Sequence, residues 1–328
     1  MPRLGFVGDV MLGRLVDERW RTRDVAAVWG DLLDRLRGLD GLLVNLECCL
    51  STRGEPWTRP FHAFHFRADP GWAVPALQAA GVDACALANN HVLDFGEPAL
   101  EDTRDALDAA GIAHAGAGRT LDAALEPAVW SLDGLVIATV SFTDNVPEYA
   151  AGEASPGVAR VGFDVDDDRT RALVGEALER ATAADPDLLV ASLHWGPNLT
   201  EAPPEAFRTF ARWLVGRGVD LVHGHSAHVF HGVEVVDGRP VCYDAGDFVD
   251  DYAVDDRRRN DRSFLFELEL AGDGRPTSLR LVPTAIRGCQ VRRATGTAAR
   301  WCRTRMRSRS APFGTAFETV GSELVLRL

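Results

Sequence analysis

Residues 221–234, LVHGHSAHVFHGVE, hold four of the chain's nine histidines: His223, His225, His228 and His231. One apolar run (Val219, Leu221, Val222) enters the segment and another (Val229, Val233, Val235, Val236) leaves it. That is the pattern of strand, short loop and strand, with Gly224 allowing a tight exit. Neutral imidazole binds divalent transition metals and titrates near neutral pH, so histidines crowded at a strand end suit metal or acid–base chemistry. One histidine there would more often be a packed or hydrogen-bonded core residue. Four within nine residues favour a metal site.

Other apolar runs end in complementary groups. Asp9 follows LGFVG, Glu47 follows LLVNL, Asn90 and His91 follow the run from Val82 to Ala88, and His194 closes LLVASL. Each has an ordinary explanation by itself. Asp9 can cap the next segment, Asn90 can be a turn residue, and His194 beside Trp195 can be core. Together they place carboxylate, amide and imidazole groups at the carboxyl ends of several strands, where open α/β sheets bind their ligands. The set Asp9, Glu47, Asn90, His194, His225 and His228 is all oxygen and nitrogen. It suits one or two divalent ions, Mn, Fe or Zn, rather than a thiolate zinc site. Such ions would activate a water, and His91 is then the acid for the leaving group. Cys48 and Cys49, next to Glu47, stay open as alternative ligands. Cys85 and Cys242 sit in apolar runs and read as core.

The elements that must position these groups follow from periodicity. Strands are expected at 4–9, 42–46, 82–88, 112–115, 188–193, from 219 and at 241–243. Helical spacing covers 15–37, 75–80, 97–110, 166–184 and 203–215. Asp133-Gly134 and Asp237-Gly238 suit tight hairpin turns, and a last hairpin surrounds Asp273-Gly274. Residues 51–70, with His62 and His65, form a loop long enough to be functional or mobile. Residues 1–285 read as one domain. Residues 286–328 differ: eight arginines lie between Arg287 and Arg309, and no acidic residue lies between Gly274 and Ala316. They read as a solvated or subunit-contact surface, or as a lid that grips an anion through guanidinium forks.

Composition bounds the function. The 328 residues are 46% hydrophobic, enough for a large core. No run long enough to span a membrane is present, and no signal peptide precedes the first strand, so a cytoplasmic protein is expected. The formal charge is −13 and lysine is absent. A net-negative surface argues against nucleic-acid binding. The acid runs 164–168 and 250–256 read as a salt-adapted surface.

The runs GDVMLGR, NLECCLSTRG, FHFRADP, ALANNHVLDFG, SLHWG and VHGHSAHVFHGVEVVDGRPVCYDAGDF, in this order, resemble the CapA-type poly-γ-glutamate (capsule) synthesis family. That family is related to the calcineurin-like metallophosphoesterases. The resemblance implies a four-layer α/β/β/α sandwich, here with a C-terminal appendage. It implies Asp9, Glu47, Asn90, His194, His225 and His228 as metal ligands, His91 and Asp94 as catalytic residues, and Arg14, Asn45 and Arg67 as substrate contacts. There are departures. Met11 stands in place of the first-motif histidine, Gly-His-x-x-His replaces Gly-His-x-His, and Asp244 and Asp247 stand where Ser and Asn are more usual. The implied function is a metal-dependent hydrolase for a phosphoester or γ-amide of an anionic small molecule or polymer, in a chain that can form homo-oligomers. The alternative is a non-catalytic, metal-stabilised component of γ-glutamyl polymer assembly.

Overall fold

The computed structural model describes residues 1–58 and 63–328; His62 lies outside them. Among the described residues, two large sheets dominate. One has ten strands and is built around Arg3–Val10, which pairs in parallel with Gly41–Leu46 and Asp247–Val249 and antiparallel with Arg262–Leu270. The other has six. It centres on Leu188–His194, parallel to Leu135–Thr143 on one side and Leu221–His225 on the other.

The period of two in a strand explains the layers. Every residue of Leu188–His194 is buried. Leu188 and Val190 join the core between the sheets, while Leu189, Ala191 and Leu193 join the core beneath the helices Asp168–Ala183 and Glu205–Gly216. In Gly41–Leu46, Leu43 faces the other sheet, whereas Leu42 and Val44 meet Leu77, Leu100 and Leu107 of the helices Pro70–Ala80 and Gly96–Ala110. Uniformly apolar strands covered on both faces give helix, sheet, sheet, helix, the expected α/β/β/α sandwich.

Three local readings change. The span 15–37 is not one helix but Arg14–Trp20, a 3₁₀ stretch Val25–Leu32 and Leu33–Arg37. Asp24 caps the middle piece by accepting from Ala26 N, and Gly30 adopts φ 53° where an added Cβ would overlap the Val291 carbonyl. The helix expected at 75–80 starts at Pro70, because Asp69 accepts from Gly71 N and Pro70 is pre-set for a first turn. The C-terminal segment is woven into the sandwich. Glu323–Arg327 pairs with Pro276–Ile286, and Cys302 and Met306 of the helix Gly296–Ser310 enter the inter-sheet core. Both Asp-Gly turns have positive φ at both residues, as a type I′ hairpin requires. Among the described residues, no helix is long and apolar enough to cross a membrane.

Candidate metal centre

Parallel pairing sets the donors in rows. Asp9 is in register with Asn45 on one side and Asp247 on the other. On the second sheet His194 is in register with His225. Gly8 lets the outer pair close up: Asp9 N donates to Gly246 O at 3.0 Å, and a Cβ on Gly8 would overlap that carbonyl. His228 then reaches back from the loop after Leu221–His225 with φ 60°, a left-handed conformation unusual for a side chain of this size.

The result is a buried cluster at the seam of the two sheets. His228 Nδ1 lies 3.3 Å from Asp9 Oδ2 and 2.8 Å from Asp247 Oδ1. His225 Nδ1 lies 3.7 Å from Asp9 Oδ1 and 2.9 Å from His194 Nδ1. His194 Nε2 and His91 Nε2 are 3.9 and 4.0 Å from Glu47 Oε1. Two donor sets emerge, Asp9–His194–His225 and Asp9–Glu47–His228, each with its ligand atoms within 4.8 Å of one another. Asp9 belongs to both.

Among the described residues, the buried oxygens without a hydrogen-bond partner include Asp9 Oδ2, Glu47 Oε1, Asn90 Oδ1 and Asp247 Oδ2, all in or beside the cluster. Leaving a buried acceptor unsatisfied costs about 1–3 kcal/mol. Acceptors facing imidazole nitrogens without donors of their own are the lining a cation needs, so the residues present fit a divalent ion.

The electrostatics separate the histidines. Burial pushes His194 down to about 3 and His225 well below its ordinary value, so both are neutral, the form a metal takes. His228 goes the other way. Burial would lower it, but the carboxylates of Asp247 and Glu47 hold it well above its usual range. Burial would raise Asp9, yet His228, with His194 and His225, keeps it well below. Glu47 is driven well above by burial and by Asp9, and Asp244 up to about 7 by the same two causes. His228 faces this acidic cluster as its positive group, a place that a divalent ion holding His228 as neutral imidazole would take over.

Beside the cluster, His91 Nδ1 lies 2.6 Å from Asp94 Oδ2, which also accepts from Phe66 N at 2.7 Å, while Asp94 Oδ1 accepts from the Tyr149 hydroxyl at 3.0 Å. The His91 ring stacks on Phe66 at 3.8 Å. Its outer side lines a cavity of about 370 Å³ with Arg14, Phe64, Phe66, Leu199, His228 and Tyr252.

Comparison with known proteins places the chain. The profile of the bacterial capsule synthesis protein PGA_cap family matches residues 3–252. The chain belongs to that family. A probable polyglutamine synthesis accessory protein of Mycobacterium tuberculosis is 34% identical over 310 residues, covering 91% of this chain and 78% of the relative. The PGA biosynthesis protein CapA of Bacillus subtilis is 28% identical over 272 residues, covering 82% and 68%. A crystal structure of a hypothetical protein from Thermus thermophilus covers 87% of this chain and all of that one, with TM-score 0.52 and 16% identity. That likeness concerns the fold alone.

In this PGA_cap protein the structure brings Asp9, Glu47, His194, His225 and His228 into one cluster, with His91 held by Asp94 at its edge. Asn90 presents a buried free oxygen beside His91. Arg14 lines the cavity, lying over the rings of Phe64 and Phe66 and 3.2 Å from Asp251. Asn45, expected as a substrate contact, is corrected to a support. It is fully buried, donates to Asp9 Oδ1 at 2.7 Å and accepts from Asn89 at 3.1 Å, so neither end is open. Arg67 donates to the carbonyls of Arg53 and Gly54 and lies on the Phe95 ring; it lines an adjoining cavity with His65, Arg14 and Arg21. Cys48 and Cys49 are buried thiols, with Cys48 pushed up to about 12 by burial, and they belong to neither donor set. Met11 is buried with its sulfur accepting from Gly13 N. His223 binds Val7 O at 2.8 Å, shares the Ser192 hydroxyl with His225 and lies 5.1 Å from its ring, while His231 binds Thr200 O. None of the tail arginines lines either cavity: Arg309 pairs with Glu201, Arg307 with Thr319 and Arg303 with Ser322 O.

Two groups, Asp250 and Tyr252, escape a reading by strand ends, and Asp247 gains a definite partner. Asp250, inside a run that suggests a salt-adapted surface, is 4% exposed and turned inward. Asp247 proves to be the partner of His228. Tyr252 donates its hydroxyl to Glu47 Oε2 at 3.0 Å. The signal was the run DFVDDY: acids alternating with large apolar residues directly after a strand cannot all face water.

Proposed function

We propose that this PGA_cap protein is a divalent-metal-dependent hydrolase cleaving a phosphoester or γ-amide of an anionic substrate in capsule or poly-γ-glutamate metabolism. One observation carries the reading: two donor sets share Asp9, hold unpartnered oxygens, and adjoin a cavity walled by an Asp-supported histidine. The names of the relatives, a polyglutamine synthesis accessory protein and a PGA biosynthesis protein, support a polymer of this kind, or its building block, as the substrate. Asp9, Glu47, Asn90, His194, His225 and His228 would hold one or two ions. Mn, Fe or Zn bound there would polarise a phosphoryl or carbonyl oxygen and acidify a water.

The chain's own groups supply the rest. Asp94 fixes the ring of His91 through Nδ1, which leaves Nε2, 4.0 Å from Glu47 Oε1 at the edge of the cluster, to give a proton to the leaving oxygen or nitrogen. Arg14 engages Asp251 through Nε, so other guanidinium N–H donors remain for an anionic group of the substrate. The cavity volume of about 370 Å³ suits one terminal unit of a polymer or a small ester.

The test is metal content and turnover of the purified protein beside His225→Ala and His91→Ala, screened on phosphoesters and γ-glutamyl amides. Wild type should carry one or two equivalents of Mn, Fe or Zn. His225→Ala should lose part of this metal. His91→Ala should keep metal and fold while losing about 10²–10⁴ in kcat. Wild-type rates in both variants would sink the proposal. Bound metal without turnover on any substrate would turn the reading to a metal-stabilised assembly component.

A further inference from the structure

Glu47 lies where the donor sets meet, yet only one of its oxygens is spoken for. Oε2 accepts from the Tyr252 hydroxyl at 3.0 Å, whereas Oε1 is buried without a partner and faces His194 and His91. A carboxylate's terminal torsion is broad and two-fold, so its oxygens interchange unless a fixed donor tells them apart. Tyr252 is such a donor. Its backbone N–H donates to Asp250 Oδ1 at 2.9 Å, which sets the turn leaving the strand Asp247–Val249. Its ring stands edge-on to His228 at 5.0 Å and leans on Phe66 at 5.6 Å, and Phe66 in turn stacks on His91. One side chain thus touches groups on both flanks of the cluster and lines the cavity.

We infer that Tyr252 is a positioning residue, whose hydroxyl holds Glu47 Oε2 so that Oε1 is presented to a metal ion. The inference rests on the proposed metal-dependent reading and adds a group that lies 205 positions from its partner in sequence. Packing alone would account for the ring. It does not account for a phenolic O–H, a donor at neutral pH, aimed at a carboxylate inside the cluster. Carboxylate ligands are themselves hydrogen-bonded in metal sites, and removing such a partner costs about 10- to 100-fold in metal affinity.

The experiment is calorimetric titration of the metal-stripped full chain with Mn²⁺, for wild type, Tyr252→Phe, Glu47→Gln and the double variant, with circular dichroism as the check on folding. Tyr252→Phe keeps the ring and removes only the hydroxyl. Glu47→Gln leaves the Asp9–His194–His225 set, so its Mn²⁺ binding stays measurable. The expected result is a loss of about 10- to 100-fold in affinity for Tyr252→Phe, and no further loss when it is added to Glu47→Gln. Wild-type affinity in Tyr252→Phe overturns the inference and leaves the proposed reaction standing. An equal loss in both backgrounds also overturns it, because the hydroxyl would then act by packing and not through Glu47. No Mn²⁺ uptake by wild type overturns the inference together with the proposed reaction.

Discussion

Gly8→Ala strikes the centre without touching a donor atom. The new Cβ would overlap Gly246 O and sit 2.8 Å from Gly246 C and 3.0 Å from Ala245 C. Carbon atoms in ordinary contact are about 3.5–4.0 Å apart, so the two backbones must separate by roughly 1 Å. Neither neighbour is a side-chain tip that can swing away. The strain falls on the adjacent Asp9 N→Gly246 O bond at 3.0 Å and on the Asp9–Asp247 register. Losing that bond costs about 1 kcal/mol, and overpacking about 1–3 kcal/mol more. At about 2 °C per kcal/mol for a long chain, the midpoint should fall by roughly 4–8 °C. Asp9 would also move relative to His228, so Mn²⁺ affinity should drop at least about tenfold, as when a metal's supporting contacts are disturbed. Thermal unfolding of the metal-stripped protein and Mn²⁺ titration read the two effects separately. Gly216→Ala is the control. No atom lies within 4 Å of its would-be Cβ at a helix end, so alanine should be neutral or stabilising by up to about 1 kcal/mol. A Gly8→Ala protein with wild-type midpoint and wild-type affinity would refute the reasoning.

Further outcomes follow from single contacts. Asp9→Asn weakens both donor sets at once, so elemental analysis should find less metal than in a Glu47→Gln variant, which spares one set. Asp94→Asn turns an amide nitrogen either on the Tyr149 hydroxyl or on His91 Nδ1 and Phe66 N together; kcat should fall by about 10²–10⁴ while bound metal is retained, measured by single-turnover kinetics and elemental analysis. Arg35 ties Glu267 and Glu323 together across the sheet, so Arg35→Ala should destabilise the protein by about 2–4 kcal/mol in denaturant titration, discounted slightly for its partial exposure. Burial would raise Glu323, but hydrogen bonds from Arg35 and Arg280 hold it below its ordinary value of 4.5. Its folded value is depressed, so its contribution is full above pH 4.5 and is lost as pH falls through the folded value. The stability gap between wild type and Glu323→Gln should therefore close on acidification, and a gap that widens would contradict the sign.

Much of the donor set was legible because strand ends are the most predictable places in an α/β chain. Asp9, Glu47, His194 and His225 each close a run of apolar residues, and the rows they form follow from parallel pairing. The layers were legible for the same reason, since doubly covered strands are apolar on both faces. Contacts between distant loops were harder. Asn45 looks like a rim residue, but its place beneath Asp9 depends on a register irregularity between Phe6 and Asp9 that no local pattern announces. Asp250 and Tyr252 lie in a run whose acids suggest solvent. The arginines of the tail resemble an anion grip by charge alone, whereas the fold uses them against backbone carbonyls, Glu201 and the rings of Phe230 and Trp301.

The seam between the sheets has a consequence for the life of the protein in the cell. Groups that meet there come from far ends of the chain: His223 bonds to Val7 across 216 positions, and Tyr252 to Glu47 across 205. The full donor set, from Asp9 to His228, comes together only in the folded chain, so an ion held by it would favour the fold over the unfolded chain. Ligands of that kind stabilise by mass action, about 2.7 kcal/mol when the free ion stands at a hundred times its dissociation constant. Shifts of this size change how much of a protein escapes proteolysis. Under the proposed metal-dependent reading, supply of the ion would then raise the abundance of this chain, and starvation for it would lower that abundance.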